Sequence, residues 1–461
     1  MDSDIVVKSV ECQYTPEEAR FPLKFGAVVV PECLFCTVKA TVENRNGDVA
    51  EGYGGIFLMD MWAWPNPDLE HPKKVATMKD ITEGYAGLVE GHSEPAHPVD
   101  IFFDLEDDLR RLNLDICRQN DMVPPQPYLG ALVCASPVDG AIHDAFGKVN
   151  GIDTYDGYGP EFAPDLSKWL GDGFEGKYIS DYIRDEYQSS LPIFHLVGGL
   201  DKLTVAELDE DDPDDGLPNS LDEWIKRDGV YCLKVKLRGD DLDWDVQRCL
   251  DVYRIGREQL DQLNIEPLHM SADTNEQCES PGYIVEMLSK IREQSQACYD
   301  SILYIEQPTE RDMTASMQDM SEIAQMKPVI VDESLTDLAS FDLALELGWT
   351  GVALKSCKCH SSAMVMAARA REAGIEYSIQ DLTNPSIALL HSVGMGARLY
   401  PIMGVEANSR QFFPEATKDA QKQIHGDMFQ PTRGEVSTES LQGNGLGYRM
   451  DEMKKLGLQV P

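Results

Sequence analysis

Seven segment ends, each about one strand–helix unit after the last, carry side chains that could do chemistry together. Lys236, preceded by Lys234, ends the apolar run 232–237, and Asp273 follows the run 267–272. Glu306 follows 302–305, Asp332 follows 328–331 and Lys355 follows 350–354. Further on, Gln380 and Asp381 follow 375–379, and Glu406 ends the run that begins at 402. Three carboxylates from successive segments would repel one another if brought together uncompensated. A divalent cation removes that repulsion, and hard oxygen donors select Mg²⁺ or a similar ion. The lysines flank the carboxylate trio. A lysine buried beside a cation has a depressed pKa and can act as a general base, and two of them could reach both faces of one carbon. Taken singly, each carboxylate reads as the partner of a surface Lys or Arg, and Lys234-Val235-Lys236 as a solvated strand edge. Their common spacing favours the joint reading.

These side chains need a scaffold that brings segment ends to one place. From residue 192 onward, eight short apolar runs alternate with amphipathic stretches such as 244–263, 282–293 and 361–373. Short buried strands alternating with helices predict a parallel sheet, and eight units predict a closed barrel with its chemistry at the C-terminal strand ends. Before it, residues 5–60 read as strands with a hairpin turn at Asn46-Gly47-Asp48, and 72–150 as helices, 133–148 among them. The expected fold class is therefore α/β: a (β/α)8-type TIM barrel over 191–410 with an N-terminal α+β capping domain over 1–150. Residues 151–190 form an aromatic, Gly-rich connection, either an insertion or a functional loop. The Gly-rich segment 411–461 is expected to be loop-rich and to complete the cap.

Composition bounds the partners. The chain has 461 residues with 40 Lys plus Arg against 80 Asp plus Glu, a formal charge of −40. Such a surface does not suit a nucleic acid or an anionic membrane. Adaptation to salt is one reading of the acidity, and the run Glu210–Asp215 reads as a solvated loop. The 11 cysteines have no framework spacing and Cys357-Lys358-Cys359 is not a zinc pair, so free thiols in a cytoplasmic, reducing setting are expected. The N-terminus lacks the pattern of a signal peptide, and no apolar run approaches the ~18 residues of a membrane span. A homo-oligomer is expected. His360 and His391 read as structural or solvent-facing, and the apolar segment 57–65, with Trp62 and Trp64, as a substrate cover or interdomain packing.

The ordered set K-x-K at 234–236, D-x-N at 273–275, E-Q-P at 306–308, D-E-S at 332–334 and K-x-x-K at 355–358 resembles the enolase superfamily, specifically its muconate lactonizing enzyme-like subgroup. Arg20–Gly26 is similar to the family's cover loop, and Ala141–Lys148 to its A-x-x-D-x-x-G-K helix end. The resemblance implies a modified TIM barrel with Mg²⁺ on Asp273, Glu306 and Asp332. It also implies Lys236 and Lys355 as acid/base groups, with Lys234 tuning Lys236. Lys358, Asp381, Glu406 and Trp62 would face the substrate, and Asn275 would stand behind the ligands.

The implied reaction is abstraction of a proton α to the carboxylate of a partner that is a small-molecule carboxylate substrate, through an enediolate, leading to racemisation, epimerisation or cycloisomerisation. An acid-sugar dehydratase and a non-catalytic ligand-binding barrel are the alternatives. The histidine–aspartate pattern of the mandelate racemase-like subgroup is absent, since strand six ends in Lys355. The Asp-x-Asp of dipeptide epimerases is replaced by Glu406-Ala407-Asn408, leaving Glu406 alone to hold an α-ammonium.

Overall fold

The computed structural model describes the backbone of residues 1–25 and 28–461, and side chains outside 22–31. Strands β1 (Ile5–Phe25), β2 (Val28–Asn44) and β3 (Val49–Phe57) form an antiparallel sheet in that order. The turn before β3 is built by Asn44, whose Oδ1 accepts from the backbone N–H groups of Asn46 and Asp48. The helix Tyr128–Asn150 lies directly on β3. Gly54 allows this approach: a Cβ there would stand 2.1 Å from the Pro137 carbonyl oxygen. Helix 133–148 of the sequence reading thus exists and is longer at both ends. Most of the expected cover loop, Pro22–Gly26, lies outside the described side chains. Its first residue, Arg20, is fully engaged. Its guanidinium binds both Asp215 oxygens (2.6 and 2.8 Å), the Pro218 carbonyl (2.9 Å) and Asn219 Oδ1 (2.7 Å). Lys202 holds Asp209 and Asp212. The acidic run is therefore partly a docking loop for the cap hairpin, which corrects its reading as mere solvated surface.

The eight apolar runs become β4 (Ser190–Val197), β5 (Cys232–Lys236), β6 (His269–Asp273), β7 (Ile302–Glu306), β8 (Val329–Val331), β9 (Gly351–Lys355), β10 (Glu376–Gln380) and β11 (Val405–Glu406). They are parallel neighbours in chain order, and β11 closes on β4 through Val405 and Ile193. Inside the barrel Phe194 and Tyr304 pack with ring centroids 6.0 Å apart, while the alternate strand residues Leu233 and Ile379 face the surrounding helices at Gly256 and Gly396. A last strand, β12 (Glu435–Ser437), runs antiparallel to the start of β4. The C-terminal segment is less loop-like than its glycines suggest, since it also holds helices Asp419–Phe429 and Met450–Lys455. The A-x-x-D-x-x-G-K helix end ties this segment to the cap. Asp144 accepts from the N–H groups of Tyr53 and Leu446 (2.8 Å each) and from Lys148 (2.7 Å). A Cβ at Gly147 would lie 2.7 Å from the Gly445 Cα.

A buried chain of hydrogen bonds joins cap, connection and barrel. Ser361 donates its hydroxyl (2.7 Å) and its N–H (2.9 Å) to Asp139 on the long cap helix. Ser361 Oγ must then accept from His143 Nε2 (2.8 Å), which leaves His143 Nδ1 to accept from the Tyr158 hydroxyl (2.9 Å). Tyr158 in turn accepts from His360 Nε2 (2.8 Å), and His360 Nδ1 accepts from His391 Nε2 (2.8 Å). The acceptor at one end thus fixes every tautomer along the chain. His360 opens the helix after Lys358, and His391 lies in the helix after Asp381, so the chain braces the loops that carry site residues. Both histidines are buried, which overturns the solvent-facing reading and keeps the structural one. Among the described residues, no helix is long and apolar enough to cross a membrane.

Candidate active site

Strand pairing sets the expected residues on one rim. Lys236 lies opposite Asp273, and Asp273 opposite Glu306. Asp332 is the first residue past β8, and Lys355 lies opposite Gln380. β5 and β9 are four strands apart in the ring of eight, so Lys236 and Lys355 end opposite strands. All three carboxylates and Lys234 and Lys355 are almost fully buried. Lys234 Nζ donates to Glu306 (2.7 Å) and Glu406 (2.6 Å) and lies 3.3 Å from Asp273. Lys236 pairs with Asp273 and Lys355 with Asp332 (2.7 Å). Lys358 donates to both the carbonyl and the carboxylate of Asp332 (2.5 and 3.0 Å), placing it in direct contact with that residue. Gln380, named at its strand end in the sequence but given no role, donates to the second oxygen of Glu306 (2.6 Å). Asn275 meets Asp273 through its backbone N–H (2.7 Å) rather than its side chain.

Burial raises Glu306 well above the usual carboxylate range, and the charges of Asp273, Asp332 and Glu406 add to it against Lys234. Burial also opposes ionisation of Asp273, yet Lys236 and Lys234 hold it down at about 2. Asp332 is likewise held low against its burial by Lys355 and Lys358. Burial alone would lower Lys234 and Lys355, but the carboxylates outweigh it: Glu306, Glu406 and Asp273 raise Lys234, and Asp332 raises Lys355. Ammonium groups thus supply the counter-charge to these carboxylates.

Trp62 roofs the rim from the cap. Its indole N–H donates to Glu333 (2.9 Å), its carbonyl accepts from Arg311 (3.1 Å), and Lys355 Nζ lies 4.6 Å from its ring centroid. Burial and the charge of Asp332 push Glu333 up to about 7. The cleft encloses about 460 Å³ of space open to solvent. Met59, Trp62, Leu196 and Leu382 give it an apolar wall, while Lys234, Lys236, Lys355, Glu406 and Asp381 line the rest. Asp381 is pushed up to about 7 by burial, and its oxygens accept from the backbone and side chain of Asn384 (2.7 and 2.8 Å). Asn384 also accepts from the Phe57 N–H at 2.9 Å, linking β10 to the cap. Neither Glu333 nor Asn384 was singled out in the sequence, although Glu333 directly follows Asp332.

Asp273, Glu306 and Asp332 fit a hard divalent cation by donor chemistry and by the mutual repulsion seen at Glu306. Their oxygens are turned onto lysines: Lys234 lies between Glu306 and Asp273, Lys236 on Asp273, and Lys355 and Lys358 on Asp332. Among the described residues, no three His, Cys, Asp or Glu side chains are gathered closely enough to hold a metal ion. A cation there has to take these oxygens from ammonium groups.

The family model described as enolase C-terminal domain-like matches residues 217–454, more than half the chain. No curated protein matches the sequence. Among solved structures, a mandelate racemase/muconate lactonizing protein from Herpetosiphon aurantiacus superposes with a TM-score of 0.62 at 14% identity, covering 97% of this chain and 98% of that one. The L-Ala-D/L-Glu epimerase of Bacillus subtilis gives 0.59 at 15%, covering 96% and 98%. A Bradyrhizobium enolase complexed with magnesium and mandelic acid gives 0.58 at 15%, covering 100% of both chains. The chain belongs to the enolase superfamily, in its mandelate racemase/muconate lactonizing enzyme-like branch.

Proposed function

We propose that this chain removes the proton α to the carboxylate of a small acid and returns one to the same carbon, as a racemase or epimerase. The observation that carries this reading is that Lys236 and Lys355 end opposite barrel strands and line one cleft. A group on each side of the substrate carbon is what inversion requires: one takes the proton while the other delivers. Asp273, Glu306 and Asp332 would hold Mg²⁺. When bound, it supplies positive charge against the carboxylate oxygens, where charge develops, and offsets the carboxylates that keep the lysines protonated. Trp62 covers Lys355 and excludes water from it. The apolar wall of Met59, Leu196 and Leu382 suits an apolar α-substituent and disfavours a polyol, which places acid-sugar dehydration second. The test is deuterium incorporation from D₂O, with Mg²⁺, across N-acyl amino acids, dipeptides and hydroxy acids. Wild type exchanges the α-proton of both enantiomers of its substrate. Lys236→Ala and Lys355→Ala each abolish racemisation and keep exchange of one enantiomer only, opposite in the two variants. Undiminished racemisation in both variants would falsify the assignment.

A further inference from the structure

Lys234 sits between two flanks of carboxylates. On one side stand Asp273 of β6 and Glu306 of β7; on the other stands Glu406 of β11, reached across β4. Its ammonium contacts all three, and every partner is almost fully buried. Two of the three are the residues a cation would take. A buried ammonium stripped of its partners beside a divalent cation would be strongly disfavoured, because desolvation and like-charge repulsion act together. Glu406 is the partner that remains, and it already holds Lys234 at 2.6 Å.

We infer that Glu406 is the holding point for Lys234. When a divalent cation occupies the site, Lys234 releases Glu306 and Asp273 and stays on Glu406. Glu406 is thus a positioning residue that makes cation binding possible by keeping the displaced ammonium paired. Lys234 takes the Oε1 atom of Glu406, so this role stands beside the expected use of Glu406 toward a substrate ammonium. The inference rests on the cation dependence proposed above and goes further by assigning a role to a residue outside the ligand trio. No bond is made or broken: one ion pair persists, and two are exchanged for cation contacts.

Titration calorimetry of the metal-stripped protein with Mg²⁺ alone, without substrate, tests this. Glu406→Gln should weaken Mg²⁺ binding about tenfold or more, because Lys234 then has nowhere to go. Lys234→Gln removes the ammonium, so adding Glu406→Gln in that background should cost no more than about threefold, the effect of a nearby charge alone. Glu406→Asp keeps the charge and should bind nearly as wild type does. Thermal melting of each variant without Mg²⁺ checks that it is folded. Equal weakening by Glu406→Gln in both backgrounds would mean that Glu406 acts on the cation itself, and no weakening in the otherwise native protein would mean that Lys234 does not depend on it. Either result overturns the inference and leaves the proposed function standing. A wild-type chain that takes up no Mg²⁺ overturns both.

Discussion

Replacing His391 by Gln perturbs the end of the buried chain while keeping a donor toward His360. Burial lowers the His391 pKa from 6.5 to about 4, so the folded protein holds this ring neutral while the unfolded chain protonates it. The sign follows from linkage. The stability from a neutral ring is complete above the unfolded pKa and is lost as pH falls from 6.5 toward 4. At about 1.4 kcal/mol per pH unit the full loss is about 3.4 kcal/mol, of which about 2 kcal/mol is expressed on going from about pH 7 to pH 5. Glutamine does not titrate. Its shortened reach costs stability near pH 7, and that deficit should shrink, or reverse, by about 2 kcal/mol at about pH 5. Urea unfolding of both proteins at each pH measures the difference, and taking the difference removes contributions they share. One shared contribution is Asp139, which burial pushes up to about 6 and which therefore favours the folded state on acidification. A wild-type-to-variant gap that stays constant across this pH range would show that His391 is not held neutral by the chain.

Trp62→Phe keeps an aromatic ring near Lys355 but leaves Glu333 without a donor, and its other oxygen already has no partner. It should lower stability by about 1–3 kcal/mol, seen as a reduced urea midpoint. Gly147→Ala drives a methyl group toward the Gly445 Cα and the Thr154 Oγ1 (2.7 and 2.6 Å), and backbone cannot step aside as a side chain can. A cost of about 1–3 kcal/mol in the same assay is expected, with protease sensitivity appearing first in the C-terminal segment.

The barrel was legible in the sequence because a buried parallel strand needs only a short apolar run, and the residue closing it is forced to the rim. That rule places Asp273, Glu306, Asp332 and Lys355 at the rim from apolar runs alone. The turn at Asn46-Gly47-Asp48 was legible for a similar reason, since its hydrogen bonds are local. Arg20 and the acidic run were not legible as a pair. Some 195 residues separate Arg20 from Asp215, and nothing in either segment marks the other as its partner. The same holds for Trp62 with Glu333 and for the six-membered chain from His391 to Asp139.

The sequence by itself determined which strand ends carry acids and lysines, because strand order and burial follow from patterns a few residues long. Tertiary structure decided how those charges are shared. With 80 acids and 40 basic residues, composition permits very many pairings, and only the closed ring brings Glu406 of the last barrel strand within reach of Lys234 on the second. It also decided which carboxylates act on each lysine. Charge interactions fall with distance, and that distance is set by how the barrel closes rather than by spacing along the chain.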